Sequence, residues 1–332
     1  MNMKTVRQTA REKLKGFCRV CPECNGKTCA GEVPGMGGAG TGASFRNNVE
    51  ALAAVRLNMR TIHGAKHPDT RCEIFGRELL TPILGAPIMG NNFNMGGALT
   101  ETEWAESILQ GCLTSGSIGC TGDAPDPTMY IAGLKVVAET GGLGIPFIKP
   151  REVEEVFKYL RRAEEAGVLA VGMDIDTAGL VSMAVGPKTK EEMKAIISNT
   201  SLPFIIKGVM TVDEAEFAVE VGAAALVVSN HGGRVLDHMP GTVEVLSKIA
   251  AAVGGRIPVI VDGGIRTGAD VLKMLALGAD AVLIGRPLII AAYGGGAEGV
   301  ALAIRRMTNE LKQAMILTGC TTLDDITREV LF

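Results

Sequence analysis

Short apolar runs alternate with helical stretches from residue 79 onward, and this alternation constrains the fold more than any other feature. The runs have the length of strands buried in a parallel sheet, and the stretches between them are long enough for crossover helices. Eight such runs predict an α/β fold of the (β/α)8 TIM barrel type. The predicted strands are 79–89, 111–118, 142–149, 168–175, 202–207, 224–229, 257–261 and 280–284.

Threonine–acid pairs with the spacing of helix capping boxes precede four of the predicted helices and support the same architecture. The pairs are Thr100–Glu103, Thr189–Glu192, Thr211–Glu214 and Thr267–Asp270. Helices at about 297–316 would close the ring. A chain of 332 residues suits one such barrel with an N-terminal extension. We therefore predict an extension over 1–50, with a helix, a Cys-rich loop and a Gly-rich segment, and a barrel over 51–332.

Composition narrows the range of partners. The formal net charge is −3 and aromatic residues make up 4% of the chain, so neither a polyanion nor stacked bases are expected as ligands. The basic helix predicted over 1–19 is interpreted as a solvated helix face. No signal peptide and no apolar run of membrane-spanning length is found, and eight cysteines then favour a reducing cytoplasm. We expect a cytoplasmic protein that acts on a small molecule, without a nucleic-acid or membrane partner.

Four cysteines near the N-terminus have the spacing C-x2-C-x2-C-x4-C. They are Cys18, Cys21, Cys24 and Cys29. Four cysteine sulfurs form the ligand set of structural zinc sites and of iron–sulfur clusters. The first three cysteines match the bacterial ferredoxin run, but the fourth spacing is one residue too long and no proline follows it. The pattern leaves zinc, an iron–sulfur cluster and reduced free thiols open, with a slight preference for a structural role over electron transfer.

The stretch 225–234 reads A-L-V-V-S-N-H-G-G-R and joins a buried strand to a polar turn. Histidine supplies a base near neutral pH, and arginine can hold a carboxylate through two parallel hydrogen bonds. The two glycines allow the backbone to approach a flat ligand closely. Because barrel enzymes carry their active sites at the carboxyl ends of the strands, His231 and Arg234 are candidate catalytic residues.

The sequence Ser-Asn-His-Gly-Gly-Arg at 229–234, followed by Leu236-Asp237, resembles the signature of the FMN-dependent 2-hydroxy acid oxidase family. This family includes glycolate oxidase, lactate oxidase and the flavocytochrome lactate dehydrogenases. The glycine-rich segment 35–42, with Arg46 and Asn48 after it, resembles the N-terminal segment of the same family. The resemblance covers about residues 37–332. It implies bound FMN, oxidation of a 2-hydroxy acid or related small carboxylate, and a homo-oligomer, specifically a tetramer.

Two further strand ends carry residues that match this family. Asp174 and Asp176 lie two residues apart and so point the same way on the predicted fourth strand. The resemblance implies that Asp176 orients the catalytic His231, while Arg234 binds the substrate carboxylate. Lys207 closes the fifth strand, where a buried lysine is costly unless it meets an anion. The resemblance places Lys207 beside the flavin, where it would stabilise the reduced ring.

The resemblance also implies a set of FMN contacts at the strand ends. Loops after the seventh and eighth strands commonly bind phosphate in such barrels, which agrees with the glycines and arginines found there. The implied cofactor-binding residues are Met89, Ser117, Lys149, Asp174, Lys207, Ser229, His231, Asp262, Gly263, Gly264, Arg266, Gly285 and Arg286.

The chain also departs from the family pattern around the substrate. No tyrosine lies near Glu32-Val33-Pro34, the Gln-x-Tyr of the third strand end is absent, and no arginine follows Asp176 within 178–184. The lid loop after Asp176 is short. Two alternative functions therefore remain open: a flavin- or metal-binding redox protein without 2-hydroxy acid turnover, and an enzyme like type 2 isopentenyl diphosphate isomerase. The isomerase shares the barrel and phosphate loops but lacks the Asn-His-Gly-Gly-Arg signature.

Overall fold

Eight parallel strands close into a barrel in the computed structural model, which describes residues 1–180 and 183–332. The TIM barrel predicted from the sequence is therefore confirmed. Neighbours in sequence are neighbours in the barrel, and the last strand pairs with the first. The strands are β1 (Cys72–Ile74), β2 (Arg77–Leu79), β3 (Ile83–Gly85), β4 (Gly119–Thr121), β5 (Gly144–Ile148), β6 (Val171–Asp174), β7 (Phe204–Val209), β8 (Ala225–Val228), β9 (Val259–Val261) and β10 (Ala281–Ile284), of which β3 to β10 form the barrel.

Alternation along each barrel strand separates two apolar cores, as the period of two in a strand requires. In β8, Ala225 and Val227 point into the barrel interior, whereas Leu226 and Val228 pack against the surrounding helices. The β1–β2 hairpin is antiparallel, and its Ile74 and Leu79 pack on the interior cluster. All four β8 side chains are buried, which explains why the strand reads as a continuous apolar run.

Twelve α-helices accompany the strands in the described part of the chain. The capping boxes predicted at Thr100, Thr189 and Thr267 are present. Thr211 is the N-cap residue of its helix, but its side chain makes no capping hydrogen bond. The helices are α1 (Met3–Lys13), α2 (Pro34–Gly37), α3 (Ala43–Ala54), α4 (Asn91–Asn94), α5 (Glu101–Thr114), α6 (Pro127–Glu139), α7 (Val153–Glu165), α8 (Lys190–Ser198), α9 (Val212–Glu220), α10 (Thr242–Val253), α11 (Gly268–Ala276) and α12 (Arg286–Thr318).

The second barrel strand was predicted in the wrong place. Residues 111–114 continue α5, and β4 begins only at Gly119. The run Gly111-Cys112-Leu113 is apolar because this side of α5 is buried, and a short apolar run does not by itself distinguish a buried helix from a buried strand. Similarly, residue 79 ends the β1–β2 hairpin, so the first barrel strand is shorter than predicted.

The N-terminal segment packs closely on the barrel. Helix α1 ends at Lys13 and lies against α12, where Gly294 leaves space for the Val6 carbonyl group. The predicted boundary at residue 50 falls inside α3. Helix α12 is long and apolar enough to cross a membrane by length and composition, but 67% of its most apolar window is buried in the protein. Such burial is typical of a core helix, and α12 also kinks at Gly295 and Gly296.

Candidate active site

Two adjoining cavities open at the carboxyl ends of the barrel strands, which is where the active sites of TIM barrels lie. The first, of about 80 Å³, extends from Lys207 to the loops after β9 and β10. The second, of about 230 Å³, lies beside Asp123, Lys149 and the turn that follows β6. His231 and Arg234 line both cavities. A ligand in the first cavity and a ligand in the second would therefore meet at these two side chains.

His231 and Asp176 form the central pair of the site. Nδ1 of His231 lies 3.0 Å from Oδ1 and 3.3 Å from Oδ2 of Asp176. Their side chains are 10% and 8% exposed. Burial is the main cause that lowers the pKa of His231 to about 4; Asp176 opposes this shift, and the nearby lysines add to it. The imidazole is therefore neutral at pH 7 and able to accept a proton.

The backbone at His231 adopts an uncommon conformation, with φ = 57° in a residue that is not glycine. The Ser229 hydroxyl accepts a hydrogen bond from the His231 amide at 3.0 Å, and the Asn230 side chain accepts one from Gly233. Asn230 in turn exchanges hydrogen bonds of 2.7 and 3.0 Å with Asn48 of α3. Local strain of this kind persists only where surrounding contacts fix it, and these contacts hold the imidazole towards Asp176.

The glycines of this region permit close backbone contacts. Gly233 has φ = 78°, and a side chain there would overlap the backbone of Phe45. Its carbonyl group accepts a hydrogen bond from Ala39, so the glycine-rich segment lies against the His231 turn. Gly208, at φ = 105°, similarly lies against Asp176, where an added Cβ would come within 2.6 Å of the Asp176 Cβ. Both partners of the central pair thus depend on a neighbouring glycine.

A buried chain of charges lies below the pair. Asp174 is 2.7 Å from Lys149 and 2.9 Å from Lys207, and Lys207 is 3.9 Å from Asp262. The two lysines hold the pKa of Asp174 well below its usual range even though burial opposes the shift. Burial raises the pKa of Asp262 to about 6 despite Lys207. Asp174, Asp176 and His231 are close enough to resemble a metal-ligand set, but the two lysines already neutralise Asp174.

Arg234 directs a guanidinium group between the two cavities. Its terminal nitrogen donates a hydrogen bond to the Asn94 side chain at 3.0 Å. Its Nε is buried and has no hydrogen-bond partner among the described residues. Because an unsatisfied buried donor is costly, this orphaned N–H is a natural place for an anionic ligand.

A second unmatched arginine, Arg286, also lines the first cavity. Arg286 donates to the carbonyl groups of Met36 and Gly232, and it stacks 3.8 Å from the centroid of the Phe45 ring. One of its terminal nitrogens is buried without a partner among the described residues. Burial is the main cause that lowers the pKa of Arg286 to about 10; Cys24 opposes this shift, and repulsion from Arg266 and Arg234 adds to it. An anion at this position would offset the concentrated positive charge.

Comparison with known proteins identifies the family. The model of the family described as FMN-dependent dehydrogenase matches residues 35–183 and 180–332. A 2-hydroxyacid oxidase of Dictyostelium discoideum is 33% identical over 87% of this chain and 82% of its own length, and an L-lactate oxidase of Lactobacillus jensenii is 32% identical over 85% and 76%. A crystal structure of mandelate oxidase with (S)-2-phenylpropionate matches with a TM-score of 0.79 at 30% identity, covering 99% of this chain and 97% of that one.

The chain belongs to the FMN-dependent 2-hydroxyacid oxidase family. It is an FMN-dependent oxidase-like enzyme, and the first cavity fits that cofactor. Gly263, Gly264 and Gly285 line it together with Arg266 and Arg286, which suits a phosphate. The phosphate of the cofactor would satisfy the orphaned nitrogen of Arg286, and an O–H or N–H group of the cofactor would satisfy the orphaned Oδ1 of Asp262.

Two of the predicted flavin contacts lie elsewhere than expected. Ser117 precedes β4 and so lies at the amino end of the barrel strands, opposite the site. Its hydroxyl donates to the carbonyl group of Ile83, the first residue of β3. Thr121 ends β4 instead, and its buried hydroxyl has no partner among the described residues. Met89 lines the second cavity, whereas Ala86 and Ile88 line the first. The misplaced strand explains the error at Ser117.

An ion pair that sequence reasoning missed lies beside the second cavity. Arg151 binds Asp123 through two hydrogen bonds of 2.8 Å and also donates to the Ala124 carbonyl group. The Lys149 amide donates to Asp123 at 3.2 Å, so the loops after β4 and β5 are joined. Correct placement of β4 would have drawn attention to Asp123, since it follows that strand by two residues.

The departures from the family pattern lie around the same cavity. Leu180 and Met183 line it from the turn after β6, where the family arginine is absent. Val181 and Ser182, within the predicted short lid, lie outside the described residues.

The cysteine loop precedes residue 35 and so lies outside the family match. Its thiols are free, and burial, together with neighbouring thiols, raises the pKa of Cys18 and of Cys29.

Proposed function

We propose that this enzyme oxidises a 2-hydroxy monocarboxylic acid, with His231 as the base. The observation that carries this proposal is the His231–Asp176 pair at the junction of two cavities, one suited to FMN and the other to a small ligand. A base must lie within reach of the proton that it takes, and only a ligand at this junction would meet both His231 and the cofactor.

The hydrogen bond to Asp176 assigns the tautomer of His231. An Nδ1–H donates to the carboxylate, which leaves the Nε2 lone pair free to accept the substrate proton. Nε2 makes no hydrogen bond to the described residues in the site. As the imidazole becomes charged, Asp176 stabilises it without taking the proton itself. The lowered pKa of His231 keeps the base available at neutral pH.

Arg234 would bind the substrate carboxylate through its unmatched Nε and one terminal nitrogen. This contact would orient the hydroxyl-bearing carbon towards the first cavity and the hydroxyl group towards His231. Bound there, FMN supplies the acceptor for the two electrons that leave this carbon. Lys207, which is 3% exposed, would place its positive charge beside the cofactor ring. The cofactor phosphate would be held by Arg266 and Arg286.

The lining of the second cavity favours a substrate with an apolar side chain. Phe93, Leu180, Met183 and Val235 contribute apolar surface, and the nearby Lys149 is already paired with Asp174. Among the described residues that line this cavity, Arg234 is the only cation with an unmatched nitrogen, so a second carboxylate on the substrate would find no partner there. We therefore expect a monocarboxylate with an alkyl or aryl substituent rather than a 2-hydroxy dicarboxylate.

An anaerobic spectrophotometric panel tests this function. The FMN-containing enzyme is mixed with 2-hydroxy acids that carry hydrogen, methyl, branched alkyl, phenyl or carboxymethyl substituents, and the chiral acids are tested as both enantiomers. Bleaching of the flavin absorption by at least one apolar monocarboxylate is expected. Its amide and its 2-deoxy analogue are matched controls that lack the carboxylate and the hydroxyl group, and neither should bleach. An enzyme that dithionite reduces but no 2-hydroxy acid reduces would contradict the proposal.

A further inference from the structure

The cysteine loop, residues 18–29, lies against the wall of the FMN cavity. All four of its sulfur-bearing side chains line one small cavity of about 20 Å³. Met36 and Arg286 line this cavity and also the FMN cavity, so one layer of side chains separates the two. Ile290 of α12 adds an apolar surface. Four cysteines that line one cavity are a candidate ligand set, although the chain positions that provide them are outside the family match.

The spacing of the sulfurs argues against a single zinc ion. A tetrahedral Zn²⁺ site with bonds near 2.3 Å holds its sulfurs about 3.8 Å apart. Among the described residues, which include the whole loop, no three of the four cysteine sulfurs lie within 4.8 Å of one another. The four thiols are therefore not gathered as closely as a single zinc ion requires. A cluster allows wider separations because several iron atoms lie between the sulfurs.

The order of the ligands agrees with a cluster. Cys18, Cys21 and Cys24 have the C-x2-C-x2-C spacing of bacterial clusters. In two-cluster ferredoxins the fourth cysteine of that run binds a different cluster, so its spacing does not constrain the ligands of the first. The extra residue before Cys29 is therefore compatible with four ligands to one cluster. This removes the main sequence argument against an iron–sulfur site.

Hydrogen bonds to sulfur and fixed positive charge complete the site. The Val20 amide donates to the Cys18 sulfur at 3.3 Å, and Arg266 donates to the Cys24 sulfur at 3.6 Å. Such bonds stabilise cluster thiolates and tune their potential. Arg7 and Arg11 of α1 donate to the Val20 carbonyl group and so fix the loop backbone. A cluster with four thiolates is anionic, and these arginines would offset its charge.

We propose that Cys18, Cys21, Cys24 and Cys29 bind an iron–sulfur cluster of the [4Fe–4S] type beside the phosphate end of the FMN cavity. The inference rests on the four cysteines around one cavity, their spacing along the chain and the hydrogen bonds that the Cys18 and Cys24 sulfurs accept. It does not depend on which 2-hydroxy acid the enzyme oxidises, or on whether it oxidises one at all.

The test uses the full-length protein, purified under anaerobic conditions with its FMN. Iron, zinc and acid-labile sulfide are measured per chain, before and after reconstitution with ferrous iron and sulfide. About four irons and as many sulfides are expected per chain. Dithionite should then produce an electron paramagnetic resonance signal with rapid low-temperature relaxation, whereas fully reduced flavin gives none.

Two single substitutions provide the comparison. Cys21→Ser removes a ligand and should lose the iron, the sulfide and the signal while it retains FMN. Cys72→Ser is the matched control, because Cys72 is another half-buried thiol but lies in the β1–β2 hairpin. It should retain all three. Stoichiometric zinc without sulfide, or four free thiols after reconstitution, would overturn the proposal. So would equal iron and sulfide contents in the two variants.

Discussion

The carboxylate of Asp176 lies 3.0 Å from Nδ1 of His231, and both side chains are at least nine-tenths buried. Asp176 follows β6 and His231 follows β8, so the closure of the barrel brings together residues 55 positions apart. The pair combines two opposing influences on the imidazole. Burial lowers its pKa, and the carboxylate partly restores it.

The pH dependence of flavin reduction should reflect this balance. Since the pKa of His231 is lowered to about 4, the base is in its neutral form from mildly acidic pH upward. The second-order rate constant for flavin reduction should therefore change little between about pH 6 and pH 8 and fall only in more acidic buffer. Stopped-flow measurements across this range test the prediction. An acid limb centred near the ordinary histidine value of about 6.5 would contradict it.

Removal of the Asp176 charge should have two separable effects. In Asp176→Asn the attraction that raises the pKa of His231 is lost. The fall in the flavin-reduction rate at acidic pH should therefore move to still lower pH. The rate of flavin reduction should nevertheless fall by about two orders of magnitude or more, because the developing imidazolium loses its partner. A merely structural role would lower the rate without moving the limb. A shift of the limb to higher pH would be inconsistent with the geometry.

Arg234→Lys tests the carboxylate contact. Lysine keeps the charge but cannot reproduce the planar pair of N–H groups that Arg234 offers. We expect substrate affinity to weaken about tenfold or more, with a smaller change in the limiting rate of flavin reduction. The concentration dependence of the reduction rate separates the two quantities. Unchanged affinity, with FMN fully bound, would show that the carboxylate is held elsewhere.

Gly208→Ala should disturb the catalytic pair through the backbone. An added Cβ would lie 2.6 Å from the Asp176 Cβ, and the φ of 105° is unfavourable for alanine. Gly222→Ala is the matched control, since Gly222 also has a positive φ but has open space around it. We expect the control to lose about 1–2 kcal/mol of unfolding free energy with normal flavin reduction. Gly208→Ala should lose more stability and also slow flavin reduction. If the two variants behaved identically, contact between residue 208 and Asp176 would not affect the catalytic pair.

Much of the fold followed from the sequence because buried parallel strands leave a strong signal. Strand β8 is apolar at every position since both of its faces are covered, and it was placed within one residue. Strand β4 was missed because only three residues, Gly119–Thr121, form it, and the apolar run in front belongs to α5. Local sequence does not distinguish these cases, because the burial that makes both apolar is a property of the assembled barrel.

The same limit applies to the site. Residues at the ends of long strands, such as Lys207 and His231, were predicted to be close together, and they line one cavity. The Asp123–Arg151 ion pair could not be predicted, because it joins two loops whose relation depends on the register of β4 and β5. The orphaned atoms of Arg234 and Arg286 are likewise visible only once their hydrogen bonds are known.

Anaerobic flavin reduction by wild type, His231→Ala and His238→Ala, with the best substrate of the panel, tests the role of the base most directly. His238 is the matched control because its side chain is 75% exposed and lies outside the pair. All three proteins should bind FMN. The rate should fall by at least about two orders of magnitude in His231→Ala and remain near wild type in His238→Ala. Reduction at the wild-type rate by His231→Ala would contradict the assignment of His231 as the base.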